Sequence, residues 1–135
     1  MIQLNVECPH CNHSLLDKEH KIDEHPAVKV TLQYKGKKGD LYLSSLYGSY
    51  HTEFPFFVPE GEILTLFCPW CKDSLMSTRI CEKCHAKMVV MDIEDGGTIQ
   101  MCSRNGCKKH LLEFEDLATE LKAFYNVYST FFKGD

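Results

Sequence analysis

A chain of 135 residues with a formal net charge of −4 has room for one small domain or two very small ones, and it lacks the Lys/Arg excess that broad nucleic-acid binding requires. It opens MIQLNVECPH, without a basic run leading into an apolar stretch, and it has no long uncharged apolar run, so neither a secretory leader nor a membrane span is expected. Eight cysteines and no leader point to a reducing, cytoplasmic setting, where thiolates bind metal rather than form disulfides.

The first element is a knuckle, CPHC, formed by Cys8 and Cys11. A C-x-x-C turn aims two sulfurs the same way, and two such turns complete a tetrahedral four-sulfur shell. From Ala27 the chain alternates: Val28, Val30, Leu32 and Tyr34 are interleaved with Lys29, Thr31 and Gln33, which predicts a half-buried strand. KGKKG follows as a glycine-bounded turn, and DLYLSSL returns as the partner strand. Beyond it, GSYHTEFPFFVPEGEILTLFCPWC predicts a short strand, a loop, and a strand from Glu62 to Phe67 that enters a second knuckle, Cys68 and Cys71. Pro55 and Pro59 confine the Phe54–Pro59 segment to an edge or loop. Phe54, Phe56, Phe57 and Val58 make it apolar, as a cap on the sheet or a contact for a partner would be.

A third pair, Cys81 and Cys84, precedes KMVVMDI, EDGG and TIQM, a strand, a turn and a strand, and then a fourth pair, Cys102 and Cys107. A hairpin of that length returns the fourth pair to the third, as in a zinc ribbon. The expected grouping is therefore sequential: Cys8, Cys11, Cys68 and Cys71 around one ion, and Cys81, Cys84, Cys102 and Cys107 around another. An interleaved pairing is the alternative. The near-repeat of CPHCNHSL as CPWCKDSL then supplies the two walls of the first site, with a sheet inserted between them. The last stretch, EFEDLATELKAFYNVYSTFFKGD, predicts a helix. Glu113, Glu115 and Asp116 suit its N-terminus, and Leu117, Leu121, Phe124, Tyr128 and Phe131 recur every three or four residues as an apolar stripe. Phe114, Tyr125 and Phe132 widen that stripe, which is expected to dock on another subunit.

The fold class expected is thus small mixed β+α, stabilised by two Zn²⁺, and the eight cysteines are the expected ligands. Its parts are a first ribbon over 1–75 with an inserted sheet at about 14–66, a second ribbon over 76–112, and the helix over 113–135. Eight paired cysteines fill two tetrahedral shells and leave no ligand position for a reacting water. No catalytic or cofactor-binding residue is expected, since the chain has neither G-x-S-x-G nor a phosphate-binding glycine loop. His10, His13 and His85 lie in or beside knuckles, as replacement ligands, outer partners or plain surface residues; His20, His25, His51 and His110 show no ligand spacing. Arg104, Lys108, Lys109 and His110 form one basic cluster, a solvated rim or a contact for phosphate or an acidic partner.

CEKC and CSRNGC, flanking the hairpin, resemble the C4 zinc finger of bacterial topoisomerase tails, which implies a ribbon and, as a second function, nucleic-acid binding. CPHC and CPWC resemble both the redox centres of thiol-disulfide oxidoreductases and the knuckles of rubredoxin. The long helix of the former is missing after each knuckle. The latter implies iron and electron transfer as a third function, with Asn12 and Lys72 where rubredoxin usually has Gly. The chain's size, and its paired knuckles around GSYHTEFPFFVPEGEILTLFCPWC, look like the small subunit of acetophenone carboxylase. That resemblance implies a non-catalytic zinc subunit in an ATP-dependent, biotin-free ketone carboxylase, held by the terminal helix and the Phe54–Pro59 loop.

Overall fold

The computed structural model describes residues 3–94, 96–107 and 110–113. Ten strands run through them: β1 (Val6–Glu7), β2 (Leu16–Ile22), β3 (His25–Tyr34), β4 (Lys37–Leu43), β5 (Thr52–Glu53), β6 (Thr65–Phe67), β7 (Met76–Ile80), β8 (Lys87–Ile93), β9 (Thr98–Cys102) and β10 (His110–Glu113).

The strands form two antiparallel five-stranded sheets. In the first, β3 is central. Its alternation buries Ala27, Val28, Val30 and Leu32, and its flanking turns set its register. Asp23 and Glu24 (φ 56° and 66°) join β2 to β3, and Lys35 and Gly36 (φ 48° and 79°) join β3 to β4. Two consecutive residues at positive φ make the tight hairpin turn whose twist suits the strands on either side. The sequence turn KGKKG therefore shortens to Lys35–Gly36, with Lys37, Lys38 and Gly39 already in β4. β4 covers one edge of β3, and β2 and then β6 share the other. The second sheet repeats this plan around β8: β9 covers one edge, and β7 and then β1 share the other.

The two short strands entering the C-P-x-C knuckles are exchanged between sheets. β1 pairs with β8 through Val6↔Ile93 and Glu7↔Asp92, whereas β6 pairs with β3 through Thr31↔Phe67, Leu32↔Leu66 and Gln33↔Thr65. One apolar core serves both sheets. It joins Val28, Val30 and Leu41 of the first sheet to Val89, Met91 and Ile99 of the second.

The mixed β+α expectation is corrected: the described residues are all strand and turn, without a helix. Glu113, placed at the helix N-terminus by its sequence, ends β10, which pairs with β9 through His110↔Met101, Leu111↔Gln100, Leu112↔Ile99 and Glu113↔Thr98. A strand bonded to a sheet edge satisfies its backbone groups there, which displaces the local preference for a helix start. The rest of the expected helix and its stripe, Leu117, Leu121, Phe124, Tyr128 and Phe131, lie outside the described residues. No helix among the described residues is long and apolar enough to cross a membrane.

The Phe54–Pro59 segment folds partly inward. Pro55 lies against the backbone of Gly39 in β4, so closely that a Cβ at Gly39 would sit 2.6 Å from Pro55 Cβ. Phe56 packs on the core beneath Lys37, and Val58 is buried. Phe57 points out, 83% exposed. The segment is therefore a cap on the first sheet that also presents one aromatic ring to solvent.

Candidate metal centres

Each C-P-x-C knuckle follows a strand and closes by the same backbone bonds. The N–H of Cys8 donates to the carbonyl of His13 at 3.0 Å, and that of Cys68 to the carbonyl of Asp73 at 2.9 Å. The chain can reverse this tightly because the residue after the second cysteine takes the left-handed conformation: Asn12 (φ 60°), Lys72 (φ 66°) and, after Cys84, His85 (φ 64°). Asn12 and Lys72 stand where the rubredoxin resemblance expects Gly, and they take the left-handed backbone without the residue that adopts it most readily. The fourth knuckle uses a glycine, Gly106 (φ 94°), between Cys102 and Cys107.

The structure brings the cysteines together in two groups, Cys8, Cys11, Cys68 and Cys71, and Cys81, Cys84, Cys102 and Cys107, with the sulfurs of each group within 4.8 Å of one another. All eight are free thiols. Cross-knuckle sulfur separations are 3.7 Å for Cys8–Cys71, 3.7 Å for Cys11–Cys68 and 3.9 Å for Cys81–Cys107. A tetrahedron with Zn–S bonds of about 2.3 Å has edges of about 3.8 Å. Cys84–Cys102, at 3.1 Å, is closer than that. Each tetrad could therefore hold one metal ion, with Zn²⁺ fitting both the donor set and the spacing.

Backbone N–H groups face three of the sulfurs. The N–H of His10 donates to Cys8 Sγ at 3.3 Å, that of Trp70 to Cys68 Sγ at 3.3 Å, and that of Arg104 to Cys102 Sγ at 3.4 Å. The backbone N–H of His13, with its ring, holds Cys11 down to about 6. Cys102 and the N–H of Ala86, with a smaller contribution from the Arg104 side chain, hold Cys84 down to about 6. Burial pushes Cys8 up to about 12 and also pushes Cys102 up. Uptake of an ion by either tetrad would displace the protons that its thiols carry.

Among the described residues, no histidine joins a tetrad. His13 Nδ1 lies 3.4 Å from Cys11 Sγ, outside the sulfur shell, and its ring stacks on Trp70 with centroids 5.2 Å apart. The His10 ring reaches across to the carbonyl of Ser74 at 3.1 Å, tying one knuckle to the other. The basic cluster is partly committed to the fold: the Arg104 guanidinium donates to the carbonyl of Gly61 at 2.7 Å. Lys108 and Lys109 lie outside the described residues.

Sequence reasoning passed over one polar constellation. Asp23 Oδ2 accepts hydrogen bonds from Ser44 Oγ at 2.7 Å and Ser49 Oγ at 2.6 Å, and Asp23 Oδ1 meets His51 Nδ1 at 2.5 Å. The two hydroxyls, with His51, hold the carboxyl down to about 2. Two segments are involved, the β2–β3 turn that holds Asp23 and the stretch 44–51 that begins 21 residues later, and they share no motif. The one available signal was the bare spacing of polar residues after DLYL.

No protein-family model, curated protein or solved structure matches the chain. What defines it is its own arrangement: a two-sheet, zinc-ribbon-like protein with two four-cysteine centres, one shared between the sheets and one at the end of the second.

Proposed function

We propose that the chain is a structural zinc protein that binds two Zn²⁺, one in each cysteine tetrad, and serves as a non-catalytic subunit of a larger assembly. The observation that carries this reading is that each centre has four converging sulfurs. A tetrahedral ion held by four thiolates has no position left for water or substrate, which is the mark of a structural site. Two such sites would bring the net charge to about −8 from the formal −4, which favours a protein partner over nucleic acid.

The surface supports contact at two places. Phe57 projects from the Phe54–Pro59 cap, and Trp70 stands 62% exposed at the tip of the second knuckle with His13 stacked on it. Exposed aromatic anchors are what protein interfaces use. The apolar residues Leu117, Leu121, Phe124, Tyr128 and Phe131 are a further candidate surface on sequence grounds. The resemblance to the acetophenone carboxylase small subunit makes a biotin-free carboxylase the assembly to try first, with the chemistry carried by the large subunits.

Metal analysis of purified chain should give two zinc and no iron, and the protein should be colourless. Iron, with the visible absorption of a four-sulfur centre, would favour the rubredoxin-like reading. Affinity capture from source cells should retain stoichiometric partner subunits. Elution of the tagged chain as a lone monomer would overturn the subunit role.

A further inference from the structure

We infer that the described chain is two copies of one module, and that the first copy fastens its far end with the metal-free quartet Asp23, Ser44, Ser49 and His51 where the second uses the tetrad Cys81, Cys84, Cys102 and Cys107. The assignment of metal to that tetrad rests on the function proposed above; the duplication and the quartet do not.

The correspondence is strand for strand: β1 to β5 repeat as β6 to β10 with the same neighbours, after exchange of the first strand. Leu4, Cys8, Pro9, Cys11, Ser14 and Leu15 recur as Leu64, Cys68, Pro69, Cys71, Ser74 and Leu75. The isolated bridges repeat too: Glu7↔Ser14 as Phe67↔Ser74, and Gln3↔Leu46 as Ile63↔Arg104. Further along, the pairing Leu43↔Thr52 of β4 with β5 is matched by Met101↔His110 of β9 with β10.

These registers place Ser44 opposite Cys102 and Ser49 opposite Cys107 in the two copies. The local bonds agree. The N–H of Leu46 donates to Ser44 Oγ at 3.2 Å, as that of Arg104 does to Cys102 Sγ at 3.4 Å. The N–H of Ser49 reaches the carbonyl of Leu46 at 3.0 Å, as that of Cys107 reaches the carbonyl of Arg104 at 3.0 Å. Gly48 (φ 96°) matches Gly106 (φ 94°). The partner loop matches in place but not in length: Asp23 lies in the tight turn between β2 and β3, and Cys81 and Cys84 lie in the longer turn between β7 and β8. A two-residue turn has no room for a C-x-x-C knuckle. In its place the Asp23 carboxylate accepts two hydroxyls and meets an imidazole, so one anion at the centre does the gathering that a cation does in the other copy. Charge-assisted bonds to a carboxylate are among the strong ones, which is what such a replacement needs.

The two fastenings should then fail independently. Hydrogen exchange on the full chain reads this out through the amides of Leu46 and Ser49 in one copy and Arg104 and Cys107 in the other. Asp23→Ala should raise exchange at residues 44–51 by about tenfold or more, leave 102–107 unchanged, and leave the metal content as in the parent. Ser49→Ala should do the same more mildly, which covers a fold lost to the first variant. The double variant Cys102→Ser with Cys107→Ser should show the reverse pattern and lose one metal ion. Unchanged exchange at 44–51 in both Asp23→Ala and Ser49→Ala would overturn the quartet, as would a drop in metal content in either. A parent chain without metal would sink the zinc reading alone, because the Asp23 variants test the quartet without it.

Discussion

Loss of the first metal centre should unfold the whole molecule, and Cys68→Ser is the change that tests it. Cys68 is fully buried and follows β6, which enters the first sheet by three residue pairs; β1 enters the second sheet by two. Strands this short hold little on their own. The knuckles add a few backbone bonds, and Leu4, Val6, Leu64 and Leu66 add buried apolar surface between the sheets. A structural Zn²⁺ site contributes about 10–16 kcal/mol of apparent free energy at neutral pH. A domain of this size has a net stability of about 5–15 kcal/mol. An ion bound at the crossing of the exchanged strands would therefore be worth as much as the entire margin. Cys68→Ser should bind one zinc at most and lack a cooperative unfolding transition by circular dichroism at 25 °C. The parent should behave likewise after exhaustive chelation. A Cys68→Ser protein with reduced zinc that still melts within a few degrees of the parent would refute the idea that the shared tetrad joins the sheets.

Four further outcomes follow from the packing. Gly39→Ala sets a methyl 2.6 Å from Pro55 Cβ and 2.7 Å from its Cγ, and should cost about 1–3 kcal/mol in chemical denaturation. Pro55→Gly should recover most of that loss; if it does not, the cap is not seated on β4 as described. Phe57→Ser, at an 83% exposed position, should change stability by less than about 0.5 kcal/mol while weakening capture of the proposed partner. Equal capture by variant and parent would remove Phe57 from the interface. Gly106→Ala puts a side chain at φ 94° and a Cβ 2.7 Å from Glu60 Cγ, so it should destabilise by about 1–3 kcal/mol. Adding Glu60→Ala should relieve only part of this, because the backbone strain stays. Asp23 titrates at about 2 in the folded chain, below its unfolded value near 3.8. Its contribution is thus complete above the unfolded value and lost only as pH falls toward 2. In a His51→Asn background, which removes the imidazole that faces Asp23, the further change Asp23→Asn should lower stability by a constant amount between pH 8 and 5; a change of slope in that window would contradict the assignment. Acid unfolding should instead follow zinc release, as protons compete for the thiolates.

Much of the local chemistry was legible in the letters. C-x-x-C turns are set by neighbouring residues, and the sequential grouping expected from the spacing is the grouping the structure brings together. Val28, Val30 and Leu32 gave the central strand of the first sheet by alternation, and KMVVMDI with TIQM gave β8 and β9. What escaped was non-local. Val6 and Glu7 form a strand only because β8 offers an edge near Ile93, and nothing within two residues announces that. Glu113 suited a helix by charge and yet lies on β9 through Thr98, a partner fifteen residues away.

The duplication was hidden for a related reason. Identity between the copies is dense around the first tetrad, from Leu4 to Leu15, and fades where packing asks only for an apolar residue of suitable size, as at Leu43 and Met101. It disappears where the means of fastening changes, from Cys102 to Ser44 and from Cys107 to Ser49. A tetrad built from one knuckle of each copy constrains both at once, since one lost sulfur breaks the joint for both. A tetrad serving one copy can be exchanged for hydrogen bonds without disturbing the other. The knuckle repeat therefore survives in the sequence at the one place where the copies share a tetrad, and the rest of the symmetry survives only in the pairing of strands.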